Sequence, residues 1–123
     1  MTKCRILFVE DNMDTYELVR FFMERNGYEV FLAVNGRDGV SAAIKQKPDL
    51  ILMDLSLPEM NGWSAAKRIK SNPGTKDIPI VALTAHALVS DRKRALDAGC
   101  DDYIIKPIDM VELNRIVDQV LKR

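Results

Sequence analysis

Several residue types are scarce in this 123-residue chain, which has two cysteines, one histidine and one tryptophan. Cys4 and Cys100 stand far apart and form no CxxC pair, so the sequence offers no zinc or redox motif, and we expect two free, largely buried thiols in a reducing compartment. An excess of charge is also missing, because 18 basic residues balance 18 acidic ones. Without a positive field, DNA and anionic membranes are not expected as direct partners.

Long apolar runs are absent too. Charged residues interrupt each run well before the roughly 20 residues that a membrane-spanning helix needs, and the N-terminal stretch has no cleavage-like site for export. We therefore expect a cytoplasmic protein. Apolar residues make up 47% of the sequence and charged residues 29%, with no internal repeat, low-complexity tract or linker, so we expect one globular domain over residues 1–123.

Short runs rich in Ile, Val, Leu and Phe alternate along the chain with amphipathic stretches. Each run is short enough for a strand buried on both faces, and we predict strands at residues 5–9, 29–34, 49–53, 78–83 and 102–106. The helices predicted after them cover residues 14–26, 36–47, 63–71, 87–98 and 109–121. Five βα repeats with right-handed crossovers give a parallel sheet with helices on both faces.

Two helix starts carry a capping signal. Asp14 and Glu17, and likewise Asp109 and Glu112, have the spacing of a capping box, in which side chains close the first turn of a helix. We therefore predict Asp14 and Asp109 as N-caps. The fourth helix has the thinnest apolar stripe of the five.

Reactive or charged side chains follow four of the five predicted strands. These are Glu10 and Asp11 after the first, Asp54 after the third, Thr84 after the fourth and Lys106 at the end of the fifth. The carboxyl ends of parallel strands meet at one edge of the sheet, where ligands bind in open α/β sheets. The pair Asp101-Asp102 precedes its strand, so we assign it to the opposite edge as solvated turn residues.

The convergence of these groups suggests phosphoryl chemistry. Three carboxylates repel one another unless one is protonated or a cation lies among them, and oxygen ligands with few carboxylates suit Mg²⁺ better than Ca²⁺. Lys106 and Thr84 add a positive charge and a hydroxyl donor, which stabilise a phosphoryl group in transfer. Asp54 could then form an aspartyl phosphate. Taken singly, Asp54 could instead be a helix cap, Thr84 a turn residue and Lys106 a surface charge.

Four segments resemble the receiver domain of two-component response regulators, and the resemblance covers nearly the whole chain. They are ILFVEDN with Glu10 and Asp11, LILMDLSLPEMNG around Asp54, IVALTAHA around Thr84 and DDYIIKP around Lys106. The resemblance implies a doubly wound, flavodoxin-like fold of three layers, with strand order 2-1-3-4-5 and five helices.

The resemblance also implies a role for each site residue. Asp54 would be the phosphoacceptor. Asp11 and Asp54 would bind Mg²⁺ directly, together with the backbone carbonyl of Ser56, and Glu10 would bind it through water; Mn²⁺ can substitute. Thr84 and Lys106 would hold the phosphoryl oxygens.

Further positions take expected roles from the same resemblance. Tyr103 matches the family's conformational reporter and would form a switch with Thr84. The Lys106-Pro107 peptide bond is expected to be cis. His86 either limits water access to the aspartyl phosphate, which tunes its lifetime, or is an exposed loop residue without a role. Trp63 is expected to be a packing residue.

Two other functions use similar parts. A haloacid dehalogenase-type phosphohydrolase would also use a strand-end Asp, but that class carries a second acid two residues later, where this chain has Ser56. A flavodoxin-like electron carrier would need its first loop to bind an FMN phosphate, which the acids of EDNMDT would repel. Both classes are therefore disfavoured.

The resemblance implies two kinds of protein partner. A sensor histidine kinase or a histidine phosphotransfer domain would donate the phosphoryl group, and a downstream protein would bind the face formed by helix four, strand five and helix five. The sequence ends directly after helix five, so we expect a stand-alone receiver that signals by phosphorylation-dependent binding and is not an enzyme in the ordinary sense. The alternatives are a receiver cut from a larger hybrid kinase or effector, a phosphorelay intermediate and a phosphate sink.

Overall fold

The computed structural model describes residues 3–55, 61–85 and 89–122, without the side chains of residues 89–92. Strands and helices alternate in the order β1 Cys4–Val9, α1 Met13–Arg25, β2 Tyr28–Ala33, α2 Gly36–Gln46, β3 Leu50–Asp54, α3 Gly62–Ser71, β4 Ile80–Thr84, α4 Val89–Asp97, β5 Asp102–Ile105 and α5 Met110–Leu121. The described strands pair in parallel in the order β2-β1-β3-β4-β5. The predicted fold class is confirmed, and the bounds of the elements differ from the predicted ones by at most two residues.

The apolar core consists of two layers, one on each face of the sheet. Side chains alternate between the faces of a strand, so Leu7 and Val9 of β1 join the cluster under α2 and α3, whereas Ile6 and Phe8 join the cluster under α1 and α5. Every residue of β3 and β4 is buried. Burial on both faces explains why these strands appear in the sequence as continuous apolar runs.

The helix caps agree with the sequence at one predicted position and differ at the other. Asp109 is the N-cap of α5, as predicted, and its side chain accepts hydrogen bonds from the backbone of Val111 and Glu112. Asn12, not Asp14, caps α1: its Oδ1 accepts from Thr15 N at 3.0 Å. The prediction was wrong by two residues because Asn is as good a cap as Asp, and α1 starts one residue earlier than predicted.

Two predictions about solvent exposure were also wrong. Cys100 is buried, but Cys4 is exposed at the start of β1. Asp101 is not merely a solvated turn residue, because its Oδ2 accepts from Ile80 N at 2.8 Å and lies 3.3 Å from the Lys70 ammonium. These contacts tie the beginnings of β4 and β5 together at the amino edge of the sheet.

The longest described helix, α1, has 13 residues. Within the described ranges, no helix combines the length and apolar character that crossing a bilayer requires.

Candidate functional site at the carboxyl edge of the sheet

The sheet brings the predicted site residues to one edge. β1, β3, β4 and β5 all end there, and the register pairs Asp54 with Leu83 and Thr84 with Ile105. Lys106 follows β5, and its backbone N–H donates to the Thr84 carbonyl at 2.7 Å. Strand ends that lie far apart in the sequence therefore meet at a single place.

Three carboxylates form the centre of this edge. Glu10, Asp11 and Asp54 each have an oxygen within 4.8 Å of the others. The Glu10 and Asp54 side chains are buried, with residue exposures of 1% and 2%, whereas Asp11 is exposed. One side of the cluster therefore lies inside the protein and the other side opens to solvent.

Lys106 is the ammonium partner of this cluster. Its Nζ donates to Asp54 Oδ2 at 2.9 Å and lies 3.7 Å from Glu10 Oε1. Burial alone would lower the pKa of Lys106, but the hydrogen bond and charge of Asp54, with the charges of Glu10 and Asp11, raise it above its usual value. Lys106 therefore stays positively charged at neutral pH.

Glu10 is the electrostatically costly member of the cluster. Burial, followed by the interaction with the Asp54 carboxylate, raises the pKa of Glu10 from 4.5 to about 7. Its Oε2 accepts a long hydrogen bond of 3.3 Å from Asn12 N, but its buried Oε1 has no hydrogen-bond partner among the described residues. A buried, unpaired carboxylate oxygen that faces two other carboxylates is what a cation site requires.

The comparisons with known proteins match this geometry. The family model described as the response regulator receiver domain matches residues 6–118. The chain belongs to this family. Receivers of this type are signalling domains of response regulators.

Two curated relatives illustrate the range of proteins that contain such a receiver. The polar-differentiation response regulator DivK of Brucella anthropi is 39% identical over 105 residues, which are 85% of each chain. The DNA-binding dual master transcriptional regulator RpaA of Synechocystis is 38% identical over 119 residues, 97% of this chain but 49% of the relative. The chain thus spans about half the length of RpaA and most of DivK.

A solved receiver provides a test of the metal site. The receiver domain of a sensor histidine kinase from Pseudomonas aeruginosa was solved with a magnesium ion coordinated in its active-site cleft. This chain matches it with a TM-score of 0.91 and 38% identity over 99% of this receiver and 100% of the other. The carboxylates and the unpaired Glu10 Oε1 of this receiver fit Mg²⁺, because hard cations prefer oxygen ligands.

The switch positions of the receiver lie beside this cluster. Thr84 is 3% exposed at the end of β4. Tyr103 of β5 pairs with Ala82 in the sheet and is half-buried against the cluster under α2 and α3. The Lys106-Pro107 peptide bond is cis, as the resemblance implied. Ser56 and His86, the other predicted site residues, lie outside the described residues.

Sequence reasoning missed the role of Gly62 in this receiver. A Cβ on Gly62 would stand 2.3 Å from the Asp54 carbonyl oxygen and 2.5 Å from Leu55 Cα. The first turn of α3 therefore rests directly on the backbone of the acceptor strand. The signal in the sequence was Asn61-Gly62 ahead of an amphipathic stretch, where Asn61 accepts from Ser64 N and caps α3.

Proposed function

We propose that this receiver accepts a phosphoryl group on Asp54 from a histidine kinase or a histidine phosphotransfer protein, in a Mg²⁺-dependent reaction. The observation that carries the proposal is the Lys106–Asp54 contact of 2.9 Å beside the Glu10 and Asp11 carboxylates. An oxygen of Asp54 forms the new P–O bond while the P–N bond to the donor imidazole breaks, and the electron pair of that bond stays on the imidazole nitrogen. The chain catalyses only this transfer and the later hydrolysis of its own aspartyl phosphate.

In this proposal each group at the carboxyl edge has one task. Asp11, Asp54 and the Ser56 carbonyl hold Mg²⁺, with Glu10 acting through water, and Mn²⁺ can substitute. Bound Mg²⁺ supplies positive charge that neutralises the phosphoryl oxygens. Lys106 and the Thr84 hydroxyl bind those oxygens from the protein side. His86 remains a candidate for tuning hydrolysis.

The proposed output is binding of a protein partner to the face of α4, β5 and α5. Exposed apolar side chains support this surface: Leu96 is 49% exposed, Ile105 40% and Val111 74%. Phosphorylation would shift Thr84 and Tyr103 and tighten the partner by up to ~100-fold, the range of ordinary allosteric coupling. We propose a stand-alone cytoplasmic receiver over residues 1–123 without direct nucleic-acid contact; the alternatives are a module of a larger protein, such as RpaA's length would suggest, a relay intermediate and a phosphate sink.

Acetyl phosphate tests the acceptor. Intact-mass spectrometry should show one added phosphoryl group on the wild-type chain when Mg²⁺ is present, and none when a chelator is in excess. Asp54→Asn should remain unlabelled, whereas the control Asp101→Asn, at the opposite edge, should be labelled like the wild type. Undiminished labelling of Asp54→Asn would disprove the assignment.

A further inference from the structure

α4 is held to the rest of the protein by few described apolar side chains. Of those described from residue 93 onward, Ala95 is buried in the helix and Ala98 just after it, whereas Leu96 is half-exposed. Alanine side chains remove little apolar surface from water, so they fix the position of a helix weakly. A further contact made by α4 therefore has a proportionally large effect on where the helix lies.

Arg94 makes such a contact with α3. Its guanidinium carbon stands 4.3 Å from the centroid of the Trp63 ring, the geometry of a cation–π stack. The other side of Trp63 packs against the buried cluster that includes Ala95 and Ala98. We call this contact the Arg94–Trp63 stack; it joins the outer surface of α4 to the first turn of α3.

Trp63 is also closely connected to the acceptor strand. It directly follows Gly62, the residue whose missing side chain lets α3 rest on the backbone of Asp54. Gly62 N also donates a long hydrogen bond of 3.4 Å to the Leu55 carbonyl. A rearrangement at the end of β3 is thereby transmitted to Trp63, and from Trp63 to Arg94, without passing through Thr84 or Tyr103.

We propose that the Arg94–Trp63 stack is a positioning contact, which stabilises the α4 position that accompanies the Lys106–Asp54 ion pair and so opposes the switch of the receiver. This inference rests on the proposed function, in which Lys106 exchanges Asp54 for phosphoryl oxygens. A contact that favours one position of α4 must weaken any ligand that favours another position, because coupling is reciprocal. Arg94 and Trp63 would thus set how strongly the acceptor site must be occupied before α4 moves.

Beryllium fluoride with Mg²⁺, a mimic of the phosphoryl group, tests this proposal without a partner protein. Its apparent dissociation constant is measured by following backbone amide signals during a titration of the full chain. Arg94→Gln should bind the mimic roughly two- to fivefold more tightly than the wild type, which corresponds to about 0.5–1 kcal/mol and to the strength of an exposed cation–π pair. Arg94→Lys keeps a cation over the ring and should restore most of the wild-type affinity.

Lys93→Gln is the matched control, because it removes the same charge from an exposed neighbouring position of α4. It should bind the mimic like the wild type. The amide of Ala98 gives an independent reading: in Arg94→Gln without the mimic it should already be displaced towards the mimic-bound position.

Each other outcome has a defined meaning. Unchanged or weaker binding of the mimic by Arg94→Gln would overturn the proposal, and so would an equal gain in Lys93→Gln, since the helix charge alone would then be responsible. If the wild-type chain itself did not bind the mimic, the proposed function would fail, and this inference with it. Normal binding by the wild type with no effect of Arg94→Gln would remove only the role of the stack.

Discussion

Lys106 Nζ donates a hydrogen bond of 2.9 Å to Asp54 Oδ2 and lies 3.7 Å from Glu10 Oε1, so one ammonium group serves two buried carboxylates. With Asp11 alongside, three carboxylates surround a single cation of the protein. A divalent ion of suitable size would balance the remaining negative charge. The pair also means that Lys106 is already beside the acceptor oxygen before any phosphoryl group arrives.

Asp11 and Thr84 should fail in different ways. Asp11→Ala removes an exposed carboxylate of the cluster, so Mg²⁺ binding and labelling by acetyl phosphate should both weaken by about tenfold or more. Thr84→Ala removes a hydroxyl at the end of β4, so Mg²⁺ affinity should stay within about twofold while the conformational response to beryllium fluoride decreases. Titration of Mg²⁺ followed by Trp63 fluorescence measures the first quantity, and amide shifts measure the second. Equal losses of Mg²⁺ affinity in both variants would contradict this division of tasks.

Glu10 should make the metal-free protein less stable as the pH rises. Its pKa is raised to about 7 in the folded state by burial, followed by the interaction with Asp54, so the folded state binds more protons than the unfolded state above pH 4.5. The free energy of unfolding in chelator should therefore fall by about 1–3 kcal/mol more in the wild type than in Glu10→Gln between about pH 5 and about pH 8. Urea denaturation at several pH values gives the difference.

Mg²⁺ provides the control for this pH effect. Lys106 remains protonated throughout the same range, because its pKa is raised, so it does not contribute to the slope. Millimolar Mg²⁺ should restore more stability at the higher pH to the wild type than to Glu10→Gln. Parallel pH profiles of the two proteins in chelator would refute the assignment to Glu10.

Gly62→Ala should disturb the acceptor strand although Ala is the better helix former. The new methyl group would meet the backbone at Asp54 and Leu55, which cannot move aside as a side chain can. We expect a loss of about 1–3 kcal/mol in stability, together with slower labelling by acetyl phosphate. Gly39→Ala is the matched control in the first turn of α2, because its methyl group would meet only the Val9 side chain, at 2.9 Å. A similar effect of the two substitutions on labelling would argue against a special role for Gly62.

Tyr103→Ala should separate acceptance of the phosphoryl group from the response to it. The ring is half-buried on β5, one strand away from the acceptor strand's neighbour β4, and does not belong to the carboxylate cluster. Labelling of Asp54 should stay within about twofold of the wild-type rate, while the amide shifts that beryllium fluoride causes at Leu96 and Ile105 should shrink. Tyr103→Phe keeps the ring and should keep most of the response. Full-sized shifts in Tyr103→Ala would place the switch elsewhere.

The fold could be predicted because its strands are buried on both faces and its helices on one. β3 and β4 appear in the sequence as short apolar runs, and the alternation with amphipathic stretches leaves a parallel sheet as the natural arrangement. The errors occurred where neighbouring residues have equal propensity or where a contact is remote in sequence. Asn12 and Asp14 are both good caps, and the partners of Asp101 become visible only after β4 and β5 are paired.

The composition of the site followed from the strand-end rule, whereas its energetics did not. Four strands bring Asp54 and its neighbours together whatever the side-chain details, so the sequence sufficed to collect them. The raised pKa of Glu10 depends on how deeply that side chain is buried and how near Asp54 lies, and the sequence specifies neither distance. The contact of Gly62 with Asp54 likewise depends on how closely α3 approaches β3.

The Lys70 ammonium gives the molecule a fixed end. It donates to the Ile78 carbonyl at 2.7 Å and to the Lys76 carbonyl at 3.2 Å, and it pairs with Asp101, which in turn accepts from Ile80 N. The amino-terminal ends of β4 and β5 are therefore clamped, about five residues upstream of Thr84 and Lys106. Any displacement of these two strands has to pivot about that clamp, so a small movement is largest at the opposite tip, where the reacting groups stand.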